Sequence, residues 1–218
     1  PPGEFIPVLE ETGPIFEGGN WALRQALSDY QGLKDRGLTP PRIAVNVSAI
    51  QLRRKDFANM VLDAVHEQGD DPRALELEIT ESLLMQDVKA SIGTLSALRG
   101  MGIRIAMDDF GTGYSSLSYI ARLPIDSLKI DRSFIGAMNT SEQDMSIIST
   151  IMALARALHV RVVAEGVESD DQARSLRILK CDEAQGYFFS KPVPIEAITS
   201  MLERQRDPNA APEWAFSV

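Results

Sequence analysis

From about residue 40 onward, short apolar runs rich in β-branched residues alternate with longer stretches in which apolar residues recur every three or four positions. The first pattern is typical of buried strands and the second of amphipathic helices. The alternation predicts repeated strand–helix units around a parallel sheet. Six strands are predicted, at residues 42–48, 75–80, 103–108, 127–131, 160–165 and 183–188.

Amphipathic patterns predict a helix in each interval between these strands and one after the last strand, at residues 57–68, 88–99, 116–122, 142–158, 169–179 and 195–204. Two further helices, at roughly 5–11 and 20–36, precede the first strand. Turn-forming residues such as Pro40-Pro41 lie at the joints, where helices and strands are expected to end.

Two folds fit this alternation. Six parallel strands with intervening helices form either an open doubly wound sheet or an eight-stranded β/α barrel of which two strands are not in the sequence. The number of strands does not distinguish the two. In either fold, residues 1–205 are predicted to form one domain and residues 206–218 a C-terminal tail.

Each predicted strand carries a polar or charged residue near its C-terminal end. In a β/α barrel these ends meet at one rim, whereas an open sheet would spread them along a line. A single such residue could cap a helix or face water, but a complete set indicates a common site. The residues are, in chain order, Asn46, Glu78, Asp108 with Asp109, Lys129, Glu165 and Gln185.

Carboxylates gathered at one rim would raise one another's pKa unless cations lay among them. Oxygen ligands suit Mg²⁺ and Mn²⁺, and the sequence offers neither the His pairs nor the Cys pairs of a zinc site. The adjacent Asp108 and Asp109 could bridge two ions about 4 Å apart, which clamp the attacking and leaving oxygens of a phosphodiester. Lys129 could then position the attacking water or offset charge on the phosphate.

The glycine-rich loop, residues 108–116 with the sequence DDFGTGYSS, follows the third predicted strand. It lacks the GxxxxGK[ST] pattern of a phosphate-binding P-loop. The triplet Asp109-Phe110-Gly111 resembles a kinase DFG, but the chain has no HRD partner and no Gly-rich ATP loop. We therefore predict a mobile loop attached to the metal site.

Composition narrows the class of protein. A formal charge of −9 at pH 7 argues against binding to DNA or RNA, which requires clustered Lys and Arg. The single cysteine, Cys181, excludes an internal disulfide and is predicted to be a core residue. No apolar run approaches the ~18 residues of a membrane span, and the start of the sequence lacks the features of a signal peptide. A cytoplasmic domain is predicted, although the parent protein could be membrane-anchored.

Six motifs stand along the chain in the order EFIPVLEETG, VNVSAIQL, LELEITES, MDDFGTGYSSLSYIARLPIDSLKIDRSFI, VVAEGVES and CDEAQGYFFSKP. In order and spacing they resemble the EAL domain, the bacterial phosphodiesterase domain that opens cyclic di-GMP to linear pGpG. The resemblance implies an α/β fold, a TIM-like (β/α)8 barrel of the EAL type with its first strands absent from this chain. It also implies a cofactor of Mg²⁺ or Mn²⁺, with two ions in the site.

The resemblance implies a role for each matched residue. Asn46, Glu78 and Asp108 would bind one metal ion, and Asp108, Asp109 and Glu165 the second. Lys129 would contact the nucleophilic water, and Glu165 is the other candidate for activating it. Further roles are implied for support of the loop and site, by Glu81, Glu168 and Gln185, and for substrate binding, by Gln51, Asp131, Gln185 and Pro192.

The resemblance also implies partners. The glycine-rich loop and the helix after it resemble the family's dimerisation element, so a homodimer is expected, and a fused sensory or cyclase domain is expected in the parent protein. The glutamate of the family's naming motif belongs to a strand expected before residue 1. If that strand is lacking, the alternative function is a catalytically inactive cyclic di-GMP receptor or a regulatory interaction module, and these residues alone would be inactive.

Overall fold

Parallel strands and helices alternate along the chain in the computed structural model, which describes residues 2–69, 71–113 and 116–205. The strands are β1 (Ile43–Asn46), β2 (Leu75–Thr80), β3 (Arg104–Phe110), β4 (Ser127–Ile130), β5 (Arg161–Ala164) and β6 (Glu183–Ala184). The helices in the described residues are α1 (Pro2–Thr12), α2 (Ile15–Asp35), α3 (Ala49–Leu52), α4 (Phe57–Glu67), α5 (Glu81–Gln86), α6 (Val88–Gly100), α7 (Leu117–Ile120), α8 (Arg132–Ala137), α9 (Glu142–Leu158), α10 (Asp170–Ile178) and α11 (Ile195–Gln205).

The strand order in the sheet is the chain order, β1 to β6. β1 pairs with β2 in parallel, and β4 pairs in parallel with both β3 and β5. β5 also pairs in parallel with β6. The alternation of parallel strands and helices therefore confirms the predicted α/β class.

The chain divides into two compact units. The N-terminal unit runs as far as Ile105 and includes Arg122–Pro124, and the C-terminal unit comprises Ala106–Ala121 and the chain from Ile125 onward. Each unit has its own buried apolar residues. They include Leu27, Phe57, Val61, Leu75, Leu77 and Leu95 in the first and Met107, Leu128, Ile130, Ile148, Val162 and Leu176 in the second.

Polar side chains fix the starts of several helices. Ser169 accepts a hydrogen bond from the backbone of Gln172 while Gln172 bonds back to the Ser169 backbone, which is a capping box at the start of α10. Ser141 accepts from the backbone N–H of Asp144 at 3.2 Å at the start of α9. These caps explain why the helix starts could be predicted closely from the sequence.

Most predicted elements are confirmed to within a few residues, and β2 and α9 have the predicted bounds. The sixth strand is an exception because the prediction of residues 183–188 is wrong after Ala184. The backbone N–H groups of Phe189 and Ser190 bond to the carbonyl of Gly186, so the chain turns there instead of extending. Four short elements were not predicted: α3, α5, α8 and a 3₁₀ turn at Pro72–Ala74.

Some predictions fall outside the described residues. These are the C-terminal tail, residues 206–218, and Tyr114 and Ser115 of the glycine-rich loop. Among the described helices, none combines the length and the apolar character that a membrane crossing requires.

Cys181 is buried, with 2% of its surface exposed, which confirms the predicted core position. It lies just before β6, and its thiol contacts the carbonyl oxygen of Glu183 at 3.2 Å. Burial raises the pKa of the Cys181 thiol from 9.0 to about 11, which reduces the thiolate fraction roughly a hundredfold.

We therefore expect Cys181 to react with a thiol reagent such as DTNB at least about a hundred times more slowly in the folded protein than in denaturant. Absorbance of the released thiolate at pH 8 measures both rates. Equal rates would show that the thiol is accessible in the folded chain.

Candidate metal centre

Three parallel strands of the C-terminal unit bring charged side chains together at their C-terminal ends. Asp108 lies in β3, Lys129 in β4, and Glu165 directly after β5. In the β4–β5 register, Lys129 is opposite Val163, and the backbone N–H of Glu165 donates to the carbonyl of Ile130 at 3.1 Å. Strand pairing therefore fixes the spacing between the lysine and the glutamate.

Asp109 lies at an irregularity in the backbone of β3. The β3–β4 register shifts between Met107 and Phe110, and Asp109 has a φ of 53°. This left-handed conformation is uncommon for a residue other than glycine and is tolerated best by Asp and Asn. The Asp109 carbonyl accepts a hydrogen bond from the Thr112 hydroxyl at 2.9 Å, which holds the turn. The turn lets two consecutive carboxylates serve one site.

The carboxylates of Asp108, Asp109 and Glu165 each offer an oxygen, and the three oxygens lie within 4.8 Å of one another. Asp108 is buried, whereas Asp109 and Glu165 are half-buried. Carboxylates this close repel one another, so a positive charge is needed among them. The structure supplies part of that charge through Lys129.

Lys129 is almost fully buried, with 4% of its surface exposed. Its Nζ lies 2.6 Å from Oε1 of Glu165 and 3.3 Å from Oδ1 of Asp108. Glu165 Oε1 also accepts a hydrogen bond from the side-chain amide of Gln185 at 2.6 Å. Lys129 and Gln185 thus hold Glu165 in a defined orientation, and Lys129 links it to Asp108.

The pKa of Asp109 is raised above the ordinary value of an aspartate. Burial is the largest cause, and the negative charges of Asp108 and Asp131 add to it. Lys129 and Arg132 act in the opposite direction but do not cancel the increase. Ionisation of Asp109 is therefore less favourable in the folded protein than in the unfolded chain.

We expect Asp109→Asn to increase the free energy of unfolding of the metal-free protein at neutral pH. A raised pKa means that the folded state binds the Asp109 proton more tightly than the unfolded state does, so ionisation at higher pH lowers stability. Asparagine removes this ionisation and tolerates the left-handed backbone. The gain should be complete above the raised pKa and disappear below the ordinary aspartate pKa of about 3.9.

Denaturant unfolding in the presence of EDTA at several pH values measures this effect. Asp63→Asn, at an exposed aspartate of α4, makes the same chemical change away from the cluster and serves as the control. A gain that grows as the pH falls would contradict the assignment.

The cluster fits a hard divalent cation. All of its candidate ligand atoms are carboxylate oxygens, which Mg²⁺ and Mn²⁺ prefer. Three carboxylates against one ammonium group leave an excess of negative charge that a bound cation would offset. Burial and the negative charges of Asp108 and Asp131 raise the pKa of Asp109, and a bound cation would act in the opposite direction.

The N-terminal unit carries the other predicted metal ligands. Asn46 is the last residue of β1 and is directly opposite Glu78 of β2 in the parallel register, so these two residues are brought together. Glu78 is buried, and Asn46 is exposed. Their participation in one metal site with Asp108 stays a prediction.

Two other predicted residues of the N-terminal unit lie in the first helices after these strands. Gln51 is buried in α3, where its side-chain oxygen accepts from the backbone and the hydroxyl of Ser48, both at 3.1 Å. This capping box is a structural use of Gln51, and its substrate contact stays a prediction. Glu81 is buried at the start of α5, and its support of the glycine-rich loop also stays a prediction.

The remaining predicted residues belong to the C-terminal unit. Asp131 precedes α8 and accepts from the backbone N–H of Ser133 at 3.0 Å, and its charge acts on Asp109. Glu168 and Pro192 are exposed, one before α10 and the other before α11. The structure does not test their predicted roles in site support and substrate binding.

Sequence reasoning missed two residues of α8 that contact the turns after the carboxylates. Phe134 packs on Gly111, two residues after Asp109, and Arg132 packs on Gly166, the residue after Glu165. The signal that could have found them is the glycine that follows each carboxylate. A glycine at such a point indicates that another part of the chain approaches closely.

Comparisons with known proteins identify the family to which the chain belongs. Residues 1–192 match the EAL domain family. The chain is 43% identical over 211 residues to the cyclic di-GMP phosphodiesterase NbdA of Pseudomonas aeruginosa, covering 97% of this chain and 27% of NbdA. It is 42% identical over 201 residues to the bifunctional diguanylate cyclase/cyclic di-GMP phosphodiesterase MucR of the same organism, covering 92% and 29%. The chain therefore spans less than a third of the length of these relatives.

Solved structures give the same result. The phosphodiesterase PaMucR in complex with c-di-GMP is 42% identical, with a TM-score of 0.87 over 90% of this chain and 80% of that one. The EAL enzyme Bd1971 with cAMP and cyclic-di-GMP bound is 31% identical, with a TM-score of 0.86 over 92% and 55%. These likenesses confirm that the fold is that of the EAL-type β/α barrels. The chain belongs to the EAL domain family.

Proposed function

We propose that this domain hydrolyses cyclic di-GMP to linear pGpG in a metal-dependent reaction. The observation that carries the proposal is the cluster of Asp108, Asp109 and Glu165 around the buried Lys129. Support comes from the relatives, since NbdA is named a cyclic di-GMP phosphodiesterase and the PaMucR structure is a complex with c-di-GMP.

The reaction adds one water to one phosphodiester of the ring. Linear pGpG carries its terminal phosphate on a 5′ oxygen, so the bond that breaks joins phosphorus to a 3′ oxygen, which leaves as a hydroxyl after it gains a proton. The bond that forms joins the water oxygen to phosphorus, and the water gives up a proton. The site must therefore bind the phosphate, orient a water and accept a proton.

The cofactor in this proposal is Mg²⁺ or Mn²⁺, with two ions held by Asp108, Asp109 and Glu165 together with Asn46 and Glu78. Bound divalent cations would stabilise charge on the phosphate and lower the pKa of the attacking water. The excess negative charge of the carboxylate cluster supports cation binding, and its all-oxygen donors support these two ions over zinc.

Lys129 and Glu165 are assigned the roles closest to the proton transfer. Glu165 is the candidate acceptor of the water proton, because it is a half-buried carboxylate held in position by two donors. Lys129 contacts the water and keeps Glu165 and Asp108 aligned. The carboxylates of Glu165 and Asp108, at 2.6 and 3.3 Å from its Nζ, supply the opposite charge for the ammonium group that this role requires.

Other residues complete the proposed site. Gln185 bonds to Glu165 and lines the substrate pocket, and the remaining contacts to the nucleotide come from Gln51, Asp131 and Pro192. Glu81 and Glu168 support the glycine-rich loop and its neighbourhood.

We also propose a homodimer that forms through the glycine-rich loop and α7. Leu117 and Tyr119 of α7 have 62% and 47% of their surfaces exposed, and large apolar side chains left in solvent favour a protein contact. The same proposal includes a sensory or cyclase domain fused to this one, since MucR is a bifunctional diguanylate cyclase/cyclic di-GMP phosphodiesterase. It also includes a cytoplasmic location of the domain.

The test is chromatographic. The protein is incubated with cyclic di-GMP and either Mg²⁺, Mn²⁺ or EDTA, and the nucleotides are separated by high-performance liquid chromatography. The proposal predicts pGpG with either metal and none with EDTA. Saturable binding of cyclic di-GMP without any product would place the protein in the receptor class instead.

A further inference from the structure

The turns that carry two of the site's carboxylates share a feature that the proposed chemistry does not explain. Each carboxylate is followed closely by a glycine in the left-handed region, Gly111 with φ 98° after Asp109 and Gly166 with φ 69° after Glu165. Both glycines lack the space for a side chain. The same short helix, α8, is what fills that space.

The contacts are close. A methyl group added to Gly111 would lie 2.9 Å from Cε2 and 3.3 Å from Cζ of the Phe134 ring, and 3.7 Å from Cδ1 of Ile151. A methyl group added to Gly166 would lie 2.5 Å from Cβ and 3.4 Å from Cα of Arg132. The start of α8 therefore packs directly against both carboxylate-bearing turns.

The position of α8 is itself tied to the site. The helix begins immediately after Asp131, two residues beyond Lys129, and the Asp131 carboxylate caps it by accepting from the Ser133 backbone at 3.0 Å. The backbone N–H of Phe134 donates to the Asp131 carbonyl at 3.2 Å. A short, hydrogen-bonded segment thus connects Phe134 to the strand that holds Lys129.

We propose that Phe134 is a positioning residue, whose ring packs on Gly111 and thereby holds the Asp109 turn at a fixed distance from Lys129 and Glu165. This inference rests on the proposed function, in which Asp109 binds metal. Asp109 needs such support because its left-handed backbone is disfavoured for a side-chain-bearing residue. The Thr112 hydroxyl holds the turn from one direction and the ring of Phe134 from another.

The alternative is that Phe134 only contributes to general packing. Phe134 is half-buried, whereas its neighbour Ile135 is fully buried. A packing role predicts lower stability when Phe134 is truncated and no specific effect on the metal. A positioning role predicts weaker metal binding. The affinity of a site for its metal typically falls about 10- to 100-fold when the contacts that hold a ligand residue in place are removed.

The experiment compares Phe134→Ala and Phe134→Leu with the parent protein. Isothermal titration with Mn²⁺ alone measures metal affinity, which does not depend on turnover, and steady-state kinetics with cyclic di-GMP measure kcat and KM. We expect Phe134→Ala to weaken Mn²⁺ binding about tenfold and to lower kcat by a similar factor, with KM unchanged. Leucine, which still fills the space over Gly111, should restore Mn²⁺ affinity to within about twofold of the parent.

A control separates positioning from instability. Leu176→Ala in α10 removes a fully buried side chain of the same unit and should lower the melting temperature without changing Mn²⁺ affinity. Should Phe134→Ala fail to fold, Phe134→Val takes its place, with the same expected direction. Mn²⁺ affinity within threefold of the parent in the truncated variant, or an equal loss in the Leu176→Ala control, would overturn the proposal.

The Mn²⁺ titration and the kinetic measurement also distinguish the failure of this inference from the failure of the proposed function. If no variant and no parent sample forms pGpG, the phosphodiesterase proposal fails, while the Mn²⁺ titrations still decide the role of Phe134. If the parent is active and binds Mn²⁺ but truncation of Phe134 leaves affinity and kcat unchanged, the positioning role alone is excluded.

Discussion

Asp108→Asn is expected to reduce the rate of pGpG formation from cyclic di-GMP by at least about a hundredfold. Removing a residue that only contacts a metal ligand can already lower activity by that factor. Asp108 has the central position in the cluster, since its Oδ1 accepts the Asp109 backbone N–H at 3.0 Å and faces Lys129 at 3.3 Å. Asparagine keeps the size and one carbonyl oxygen, so the strand and its hydrogen bond can persist. It loses the negative charge that the proposed function assigns to cation binding.

The control for Asp108→Asn is Glu183→Gln. Glu183 is the first residue of β6, pairs with Arg161 at 2.8 Å, and keeps about a third of its side chain exposed, at 34%. The same acid-to-amide change there should leave turnover within about twofold, because a partly exposed ion pair contributes little. Circular dichroism checks that both variants are folded. Turnover by Asp108→Asn equal to that of the parent would show that Asp108 is not part of the catalytic site.

Lys129→Met is expected to abolish turnover and, at the same time, to increase the affinity for Mn²⁺. The ammonium group offsets the carboxylates in the metal-free protein and repels an incoming dication. Without it, Asp108 and Glu165 are left close together with less compensating charge. The free energy of unfolding in EDTA should fall by about 3 kcal/mol, the cost of removing one partner from a buried charge pair.

Added Mn²⁺ should restore most of that stability, because the cation replaces the missing positive charge. Denaturant unfolding with EDTA and with saturating Mn²⁺ measures the difference, and calorimetric titration measures the affinity. Lys89→Met, at an exposed lysine of α6, is the matched control and should change neither quantity. A Lys129→Met protein that binds Mn²⁺ more weakly than the parent would contradict the assigned electrostatics.

The sequence carried enough information to predict where the charged residues of the site lie along the strands. Lys129 and Glu165 interrupt apolar runs whose pattern defines β4 and β5, and parallel pairing then places the strand ends side by side. The contact between Lys129 Nζ and Glu165 Oε1 follows from that pairing. Residue type and strand position were sufficient at these two points.

Other features of the site depend on contacts between distant parts of the chain. The left-handed backbone of Asp109 depends on a register shift between β3 and β4, which no local pattern reveals. The contact between Phe134 and Gly111 joins an unpredicted six-residue helix to a loop earlier in the chain. Short helices such as α8 follow strand ends directly and have too few residues to produce a helical periodicity.

The prediction of the last strand was wrong for a related reason. The run from Glu183 to Phe188 has the composition of a strand, but the chain turns at Gly186. Gly186 lies against the backbone of Val167, so a side chain there would overlap it. This close approach is a tertiary constraint, and the glycine in the run was its only trace in the sequence.

The most direct test of the phosphodiesterase assignment is single-turnover mass spectrometry in water enriched with oxygen-18. The protein, in excess over cyclic di-GMP, is mixed with Mn²⁺, and the nucleotides are analysed beside samples with EDTA and with Asp108→Asn. The assignment predicts linear pGpG that carries one oxygen-18 atom in its terminal phosphate, and unchanged cyclic di-GMP in the two controls. Cyclic di-GMP that stays bound and intact with Mn²⁺ present would contradict the assignment and indicate a nucleotide receptor.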